Sequence, residues 1–549
     1  MGGNQVREKL NSAPISYDMT DHFRSFSCPG QRTPWDISMR KPMTDNSLDK
    51  FRRAAKTLKS GYESGLPDAL ARIAAVNPRR DGADLKHADY LHVIARENNF
   101  TSWLAMKSAI ETLGLTRAQN VQRLKIALHA GQTGVVTRLL AETPDLGSGQ
   151  FGLLCGLIDV QAVWAMLSED PTRAVTDAGP FSPLVHLCKS RMFAVTPDGA
   201  KDSIAIADML VANGADVNAG SALGGEPLSP LYWALGHAGN LELATWLLAN
   251  GADPNDGESL YHATELGHAD GLRLLLVHGA DPKQTNALPR ALDFDNAEMV
   301  AVLLDGGADP NEGSDKDATS SGIPALHQAA RRMNSAPVLD LLLDHGADPA
   351  ATWRGHSAYA FAKVFGNAEL VARIDARGQA TSLTDTEEML AVAAQGVVPQ
   401  GFIDTARLPD DYRGLLREIL HLPDKLPHLK ALVAIGLEWD RPDAAGVTPV
   451  QAAGWCGLPD VMGYFLSLSP NLGHVNAYGG TLLSTILHGA DNNPSRGDSD
   501  YVGCLRIALE QGVALPRKAL DASGSTEIRD FLQQWARQKP GQLVEHGIV

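Results

Sequence analysis

Aromatic and titratable side chains lie close together in the sequence between residues 233 and 265. They are Trp233, His237, Tyr261, His262 and Glu265. Aromatic rings can line a pocket, while histidine and glutamate can transfer protons to and from a bound molecule. If the fold brings these side chains together, the protein is an enzyme whose pocket is built inside its helical array. This is one of three functions that the sequence leaves open.

Motifs for metal binding or nucleophilic catalysis are poorly represented. Cys188 lies two residues from His186, but no second pair of donors has the spacing of a zinc site. The segment 421–428 holds two histidines without further donors nearby. The sequence contains no G-x-S-x-G, P-loop, H-E-x-x-H or strand-linked G-x-G-x-x-G motif. We therefore predict no metal site, no cofactor, no catalytic residue and no enzymatic activity as the favoured interpretation.

The aspartates in the middle of the chain recur regularly, which indicates a structural role. They belong to a phrase of the type N-G-A-D-P-N, which follows a leucine-rich segment each time. Its copies are at 213–218, 250–255, 278–283, 306–311 and 345–350. Glycine can end a helix in the left-handed conformation, and Asp and Asn bind backbone donors in the turn that follows. The pattern predicts a repeated unit of helix, turn, helix and loop.

Caps and small residues mark the beginning and the packing of these units. Ser-Pro-Leu at 182–184 and 229–231 and Thr-Pro-Val at 448–450 are typical helix starts, with the hydroxyl as cap and proline in the first turn. Pairs such as Ala329-Ala330 let neighbouring first helices pack closely.

This unit resembles the ankyrin repeat. The family's first-helix pattern, T-P-L-H-x-A-A-x-x-G-H-x-E, is matched by PALHQAA at 324–330 and by the segments at 258–270, 356–369 and 447–460. The consensus repeat has about 33 residues, so the two intervals of 28 residues between Asp253, Asp281 and Asp309 predict shortened hairpin loops there. The N-terminal segment 68–111 resembles that of a group of bacterial ankyrin proteins.

The predicted fold is all-α: an ankyrin-type helical-repeat solenoid with a helical N-terminal cap and divergent C-terminal ankyrin-like units. The predicted parts are a disordered tail at 1–48, the cap at 49–113, the ankyrin repeat array at 114–384, divergent helical repeats at 385–440, C-terminal ankyrin-like repeats with a capping helix at 441–537, and a tail at 538–549. The sequence does not decide whether the repeat segments form one continuous superhelix.

The resemblance implies a binding surface on the concave face of the stacked first helices, where the positions after the paired small residues are expected to be exposed. The residues expected to bind a partner are Trp233, His237, His262, Glu265, Arg290, Asp293, Arg331, Arg332, Phe365 and Trp455. A solvated helix face is the alternative interpretation, and for Trp233 the alternative is packing in the core. His327 occupies the family's histidine position, which implies a hydrogen bond to the backbone of the next unit.

Composition limits the partners and the location. The net charge of −16, with 64 acidic and 48 basic residues, disfavours nucleic acid, whose phosphates require a basic face. The five cysteines form no C-x-x-C motif, which favours a reducing compartment. The N-terminal residues lack the apolar core of a signal peptide, and no segment approaches the roughly 18 apolar residues of a membrane span. We expect a cytoplasmic monomer that binds neither membranes nor nucleic acid.

The favoured function is a protein–protein interaction module, acting as scaffold, adaptor or inhibitor, that binds a protein partner on the concave helix face. A second possibility is a secreted bacterial effector that acts on host proteins, with the polar residues 1–48 as export signal. The third is the enzyme described above.

Overall fold

The computed structural model describes residues 48–76, 85–98, 100, 102–103, 106–107, 115–221, 227–316, 322–493, 499–545 and 547. These residues form two compact units, which divide between Asp253 and Pro254 and are called the N-terminal and the C-terminal unit. The tail expected at 1–48 falls outside the described residues except for Leu48. Most of the helix expected at 102–113 lies outside them as well.

The N-terminal unit consists of short helices joined by brief loops. They are α1 (Leu48–Glu63), α2 (Pro67–Val76), α3 (His87–Glu97), α4 (Arg117–His129), α5 (Thr133–Glu142), α6 (Phe151–Leu157), α7 (Val160–Glu169), α8 (Pro183–Cys188), α9 (Gly199–Ala212), α10 (Pro230–Tyr232) and α11 (Leu241–Ala249). A π-helical turn, Trp233–His237, continues α10, and 3₁₀ turns lie at Pro171–Ala174 and Met192–Ala194.

The first three helices pack on one another around Leu58, Ile73, Tyr90 and Val93, as expected of a helical cap. The remaining helices form two rows. In one row α4, α6, α8 and α10 are the first helices of successive pairs, and in the other α7, α9 and α11 are second helices that pack side by side. The expected caps are present, because the Ser182 and Ser229 hydroxyls accept hydrogen bonds from the third residue of α8 and of α10.

The C-terminal unit continues the same alternation. Its helices are α12 (Ser259–Ala263), α13 (Asp270–Val277), α14 (Ala287–Asp293), α15 (Ala297–Asp305), α16 (Ala325–Arg332), α17 (Ala336–Asp344), α18 (Ala358–Phe365), α19 (Ala368–Ala376), α20 (Asp385–Ala394), α21 (Asp410–Arg413), α22 (Leu415–Ile419), α23 (Leu426–Ala434), α24 (Pro449–Trp455), α25 (Pro459–Ser467), α26 (Leu482–Asn492), α27 (Tyr501–Glu510) and α28 (Thr526–Gln538). The first helices α12, α14, α16 and α18 pack in order, as do the second helices α13, α15, α17 and α19.

Where the repeated glycine–aspartate phrase ends in asparagine, the asparagine links one repeat to the next. Gly346 has a φ of 85°, the left-handed conformation predicted for it. The Asn311 side chain donates from Nδ2 to the Gly346 carbonyl (2.9 Å) and accepts at Oδ1 from the Asp348 amide (2.7 Å). Asn218 makes the same pair of bonds to Gly251 and Asp253, and Asn255 makes it to Gly279 and Asp281. The asparagine therefore bridges successive phrases.

The loops between the helix pairs are as short as predicted where the repeat interval is 28 residues. Residues 250–258 and 278–286 contain no strand. In the longer unit that follows, β1 (Thr352–Trp353) and β2 (His356–Ser357) form a small antiparallel hairpin, in which Trp353 pairs with His356.

The array changes course after α19. α20 packs on α18 and on α23. The Tyr412 ring of α21, however, lies 6.0 Å from the Phe361 ring of α18, and Glu418 of α22 lies 3.9 Å from Arg331 of α16. Successive helices in a row are about 10 Å apart, so a regular continuation would place α22 well away from α16. Instead α21 and α22 lie against the first helices.

The C-terminal end is closed by more than a capping helix. α24 packs on α26, α25 on α27 and α27 on α28. Part of the segment expected to be a tail is also packed, because β4 (Leu543–Val544) pairs in parallel with β3 (Leu515–Pro516). The Gln542 amide donates to the carbonyls of Leu509 and Val513, both at 2.7 Å, which fixes this segment to the end of α27.

The helices of the two units confirm the predicted all-α repeat fold.

Candidate functional site

Side chains on three successive first helices of the C-terminal unit form a continuous row of polar contacts, which we call the charge ladder. Its members are His262, Glu265, Arg290, Asp293, Gln328, Arg331 and Arg332. Arg290 bridges two of the helices, with Nη2 2.7 Å from Glu265 Oε1 and Nη1 3.1 Å from Asp293 Oδ2. Six of the ten residues predicted to bind a partner therefore belong to the charge ladder.

The spacing of residues on each helix explains how the ladder forms. Arg290 and Asp293 are three residues apart on α14, and Gln328 and Arg332 are four apart on α16, so each pair lies on one helix face. Asp293 Oδ1 accepts from Arg332 Nε (2.7 Å) and from Gln328 Nε2 (2.5 Å). Long side chains thereby span the distance between helices.

His262 begins the ladder between two carboxylates. Its Nδ1 lies 3.0 Å from Glu265 Oε2 and its Nε2 lies 3.4 Å from Glu258 Oε2. Burial alone would lower the pKa of His262, but the hydrogen bonds to the two glutamates outweigh it and raise the pKa to about 9. The imidazole is therefore a cation near neutral pH, and it holds Glu265 as a carboxylate.

Arg290 is fixed by aromatic rings as well as by carboxylates. Its guanidinium carbon lies 4.9 Å from the centre of the Phe294 ring and 5.6 Å from that of Tyr261. Its side chain is 21% exposed, so one edge is accessible to a partner. A cation held between two carboxylates and two rings has little freedom to lose when a partner binds.

The far end of the ladder opens into a cavity of about 660 Å³. Trp353, Phe361 and Phe365 contribute an apolar part, and Arg331 lies beside them. Arg331 Nη2 donates to Gln328 Oε1 (2.7 Å), and burial lowers the pKa of Arg331. Five arginines and five carboxylates line the cavity in total: Arg331, Arg354, Arg413, Arg417 and Arg441 with Asp410, Asp411, Glu418, Glu438 and Asp443.

The expectation that the positions after the small-residue pairs are exposed is wrong for three residues. Arg331, Phe365 and Trp455 are only 5%, 1% and 6% exposed. Near Arg331, the reason is that α22 lies against this part of the first-helix row. The Phe365 ring stacks on that of Phe361, at 4.4 Å, and the Trp455 ring lies 5.3 Å from that of His488 in the following unit. Whether these residues bind a partner stays a prediction.

The remaining two predicted residues, Trp233 and His237, lie in the N-terminal unit. Their rings are 5.0 Å apart, and the Trp233 ring also meets that of Phe181 edge to face at 5.6 Å. Trp233 is 9% exposed and sits at the start of the π-helical turn, an irregularity often found at functional sites. The five residues of the hypothetical enzyme site are thus divided between the two units.

Lys189 lies beside Trp233 as well, and the repeat pattern of the sequence does not predict it. Its ammonium lies 4.2 Å from the centre of the Phe181 ring, 5.2 Å from that of Trp233, and in contact with Nδ1 of His129. Lys189 directly follows the pair Leu187-Cys188, as Arg331 directly follows the pair Ala329-Ala330 in α16. The repeat pattern does not indicate Lys189 because Leu187 and Cys188 replace the pair of alanines that usually precedes this position.

The structural role predicted for His327 is confirmed. Its Nε2 lies 2.9 Å from the His356 carbonyl in the hairpin of the next unit. His356 in turn places Nδ1 2.9 Å from Glu387 Oε1, which also accepts from the Tyr412 hydroxyl at 3.1 Å. No repeat signal indicates this second connection, because Glu387 and Tyr412 lie outside the regular repeats.

A protein-family model agrees with the repeats in the middle of the chain. The family model "Ankyrin repeats (3 copies)" matches residues 192–286 and 260–353, so this part of the chain carries ankyrin repeats. Among solved structures, the human ASB11 ankyrin repeat domain is 21% identical with a TM-score of 0.31, and covers 44% of this chain and 96% of its own. An ankyrin repeat domain from Acinetobacter baumannii AYE is 26% identical with a TM-score of 0.29, and covers 36% of this chain and 97% of its own.

No curated protein sequence matches the chain. Ankyrin repeats are generally modules for protein–protein interaction and are typically not enzymes. No helix in the described part of the chain is long and apolar enough to cross a membrane.

Proposed function

We propose that this protein binds a protein partner along the first-helix faces of its repeats, acting as scaffold, adaptor or inhibitor. The observation that carries the proposal is the charge ladder, in which Arg290 is held in place by Glu265, Asp293 and two aromatic rings. Arginine and aromatic residues are frequent anchors of protein interfaces.

The arrangement of the ladder favours binding over a purely structural role. The buried end of the ladder, at Asp293 and Arg332, stabilises the fold, but the end at Glu265 and Arg290 is partly exposed. Fixed side chains lower the entropic cost of forming an interface. The exposed edges of Glu265 (34%) and Arg290 (21%) offer an acceptor and donors to a partner.

The cavity beside the ladder extends the proposed surface. Its volume of about 660 Å³ is enough for one or two side chains of a partner, and its aromatic residues lie next to the buried end of the ladder. A partner that covers the ladder would place a side chain in the cavity. The protein is expected to work as a monomer in the cytoplasm and without a cofactor.

The test compares two arginines that are similar in bonding but lie on opposite rows. Arg290 pairs with Glu265 across first helices at 2.7 Å, and Arg273 pairs with Glu298 across second helices at 2.6 Å. Proteins from cells that express the chain are captured on the wild type, on Arg290→Ala and on Arg273→Ala. Binding of each captured protein is then titrated in purified form.

We expect partners that bind the wild type and Arg273→Ala, and that bind Arg290→Ala at least about tenfold more weakly. Circular dichroism and thermal unfolding establish that both variants are folded. Equal affinity of a purified partner for all three proteins would contradict binding on the first-helix face. Failure to find any partner would contradict the proposal as a whole.

A further inference from the structure

We infer that the N-terminal unit binds an acidic segment of its protein partner at a group of basic side chains beside Trp233. The inference deepens the proposed function and rests on it. The group, which we call the basic cluster, consists of Lys125, His129, His186, Lys189 and Arg191.

Contacts around Phe181 bring the cluster together. The Phe181 ring stacks on His129 at 6.2 Å, meets His186 edge to face at 5.5 Å, and carries the Lys189 ammonium at 4.2 Å. Lys125 is four residues before His129 on α4, and therefore on the same helix face.

Glycines make this approach possible. A Cβ atom on Gly152 of α6 would lie 2.7 Å from the His186 ring, and one on Gly131 would lie 2.9 Å from Cδ of Arg191. The Arg191 side chain therefore runs over Gly131, just after α4, and its Nη2 donates to the His237 carbonyl at 2.7 Å. The sequence between α4 and α8 keeps these cations close to one another.

The cluster has an excess of positive charge. Within the described part of the chain, none of its five residues forms an ion pair with a carboxylate, although the protein as a whole has a net charge of −16. His129 and Lys189 lie at the C-terminal ends of α4 and α8, where the helix dipole favours cations. Each helix end supplies only about half a negative charge, so positive charge remains for a ligand.

Hydrogen-bonding capacity points to the same ligand. Nε1 of Trp233 is a buried donor with no acceptor among the described residues. The Lys189 ammonium has three N–H groups, of which His129 Nδ1 takes one. The site thus presents donors, and a carboxylate is a group that only accepts.

An acidic protein segment fits better than nucleic acid. Burial lowers the pKa of His129 and of His186, and it lowers the pKa of Lys189 to about 8, so the positive charge at neutral pH comes from Lys125, Arg191 and a Lys189 that is mostly protonated. About three phosphate contacts give only weak binding at physiological salt. Lys189, which is 6% exposed, lies behind the more exposed cations and acts on the ligand with little screening by solvent.

The test uses an array of synthetic peptides of varied sequence, probed with the labelled full-length chain and with three variants. Arg191→Gln removes an exposed cation of the cluster, and Lys189→Met removes the buried one with a side chain of similar length. Lys201→Gln is the control, because it removes an exposed cation from the second helix α9. Circular dichroism establishes folding, and Arg191→Gln keeps the test decisive if Lys189→Met does not fold.

We expect the wild type to select peptides that are rich in Asp and Glu. In fluorescence titrations these peptides should bind Arg191→Gln and Lys189→Met about tenfold more weakly, bind Lys201→Gln unchanged, and lose affinity as salt increases.

Other outcomes would overturn the inference, and they separate it from the proposed function. If the selected peptides are not acidic but depend on Arg290, the protein binds proteins as proposed and the basic cluster is not the site. If the wild type selects no peptide, both proposals fail. If a labelled single-stranded oligonucleotide binds as tightly as the acidic peptides and with the same dependence on Arg191, the ligand is not an acidic protein segment.

Discussion

Arg332 and Asp293 form an ion pair across two first helices, with Nε 2.7 Å from Oδ1, and their side chains are only 8% and 11% exposed. Asp293 also accepts from Gln328 and pairs with Arg290. One carboxylate therefore serves three donors on two helices, and the charge ladder depends on it.

Replacement of Asp293 should destabilise the C-terminal unit more than loss of an ordinary surface charge. We expect Asp293→Asn to lower the free energy of unfolding by about 2–3 kcal/mol, because two guanidinium groups lose the carboxylate between them. Urea titration followed by circular dichroism measures the change. The control is Asp270→Asn, since Asp270 is 62% exposed and pairs with Arg273, and it should cost less than about 0.5 kcal/mol. Equal losses in the two variants would contradict a central role of Asp293.

The stability of the C-terminal unit should fall in mildly alkaline solution because of His262. Its pKa in the folded protein is about 9, above its ordinary value of 6.5. The stabilisation by the protonated ring is therefore complete below pH 6.5 and is lost as the pH rises through about 9. We expect a loss of up to about 3 kcal/mol over this range, measured by urea titrations at each pH.

His262→Gln should abolish this dependence on pH, because its side chain does not titrate. His268→Gln is the control, since His268 is a neighbouring histidine whose Nδ1 lies 3.3 Å from Asp270 on the protein surface. A dependence on pH that survives in His262→Gln would assign it to another group.

The asparagine bridges between repeats are interrupted at Lys283, and restoring the bridge should stabilise the protein. Lys283 occupies the position of Asn255 and Asn311 in the repeated phrase. In Lys283→Asn the new amide can bind the backbone at Gly307 and Asp309, and we expect a gain of about 1 kcal/mol in the free energy of unfolding. Asn311→Ala should cost about 1–2 kcal/mol by the same reasoning. Thermal unfolding that shows no gain for Lys283→Asn and a loss for Asn311→Ala would mean that the backbone near Lys283 has a different geometry.

Two helical glycines near the C-terminal end should respond in opposite ways to alanine. A Cβ on Gly489 of α26 would lie 2.3 Å from the Trp455 carbonyl oxygen, so Gly489→Ala forces α24 and α26 apart and should cost about 1–3 kcal/mol. A Cβ on Gly463 of α25 would have its nearest neighbour at 3.9 Å, so Gly463→Ala should stabilise the helix by about 0.5–1 kcal/mol. Thermal unfolding of the two variants checks both signs, and a loss of stability in both would point to a cause other than helix packing.

The repeat architecture could be predicted from the sequence because its signals are local. Glycine, Asp and Asn recur at the ends of leucine-rich helices, and Gly346 and Asn311 behave as these residue types require. The same regularity identified positions such as Asp293 and Arg332, because they follow the residue pairs of first helices. Periodicity does not indicate how these side chains pair with one another, since that depends on their lengths and on the offset between helices.

The contacts that could not be predicted lie where the repeat breaks down. The placement of α22 against α16 buries Arg331, but no periodic signal relates Glu418 to a residue so distant in the sequence. Lys189 was missed for a related reason, because Leu187 and Cys188 do not resemble the alanine pair of the family. The burial of Phe365 and Trp455 likewise depends on packing against neighbouring helices.

The asparagine bridges also determine how the repeats of the C-terminal unit respond to mechanical load. Each repeat touches only its neighbours, so a force transmitted from one repeat to the next must pass through the bonds that join them. Asn311 couples the repeats on either side of it through two hydrogen bonds, whereas Lys283 provides no such coupling. When the C-terminal unit is pulled between residues 259 and 376 in an optical trap, it should therefore separate first at the junction beside Lys283. This junction is the mechanically weakest one in the pulled segment.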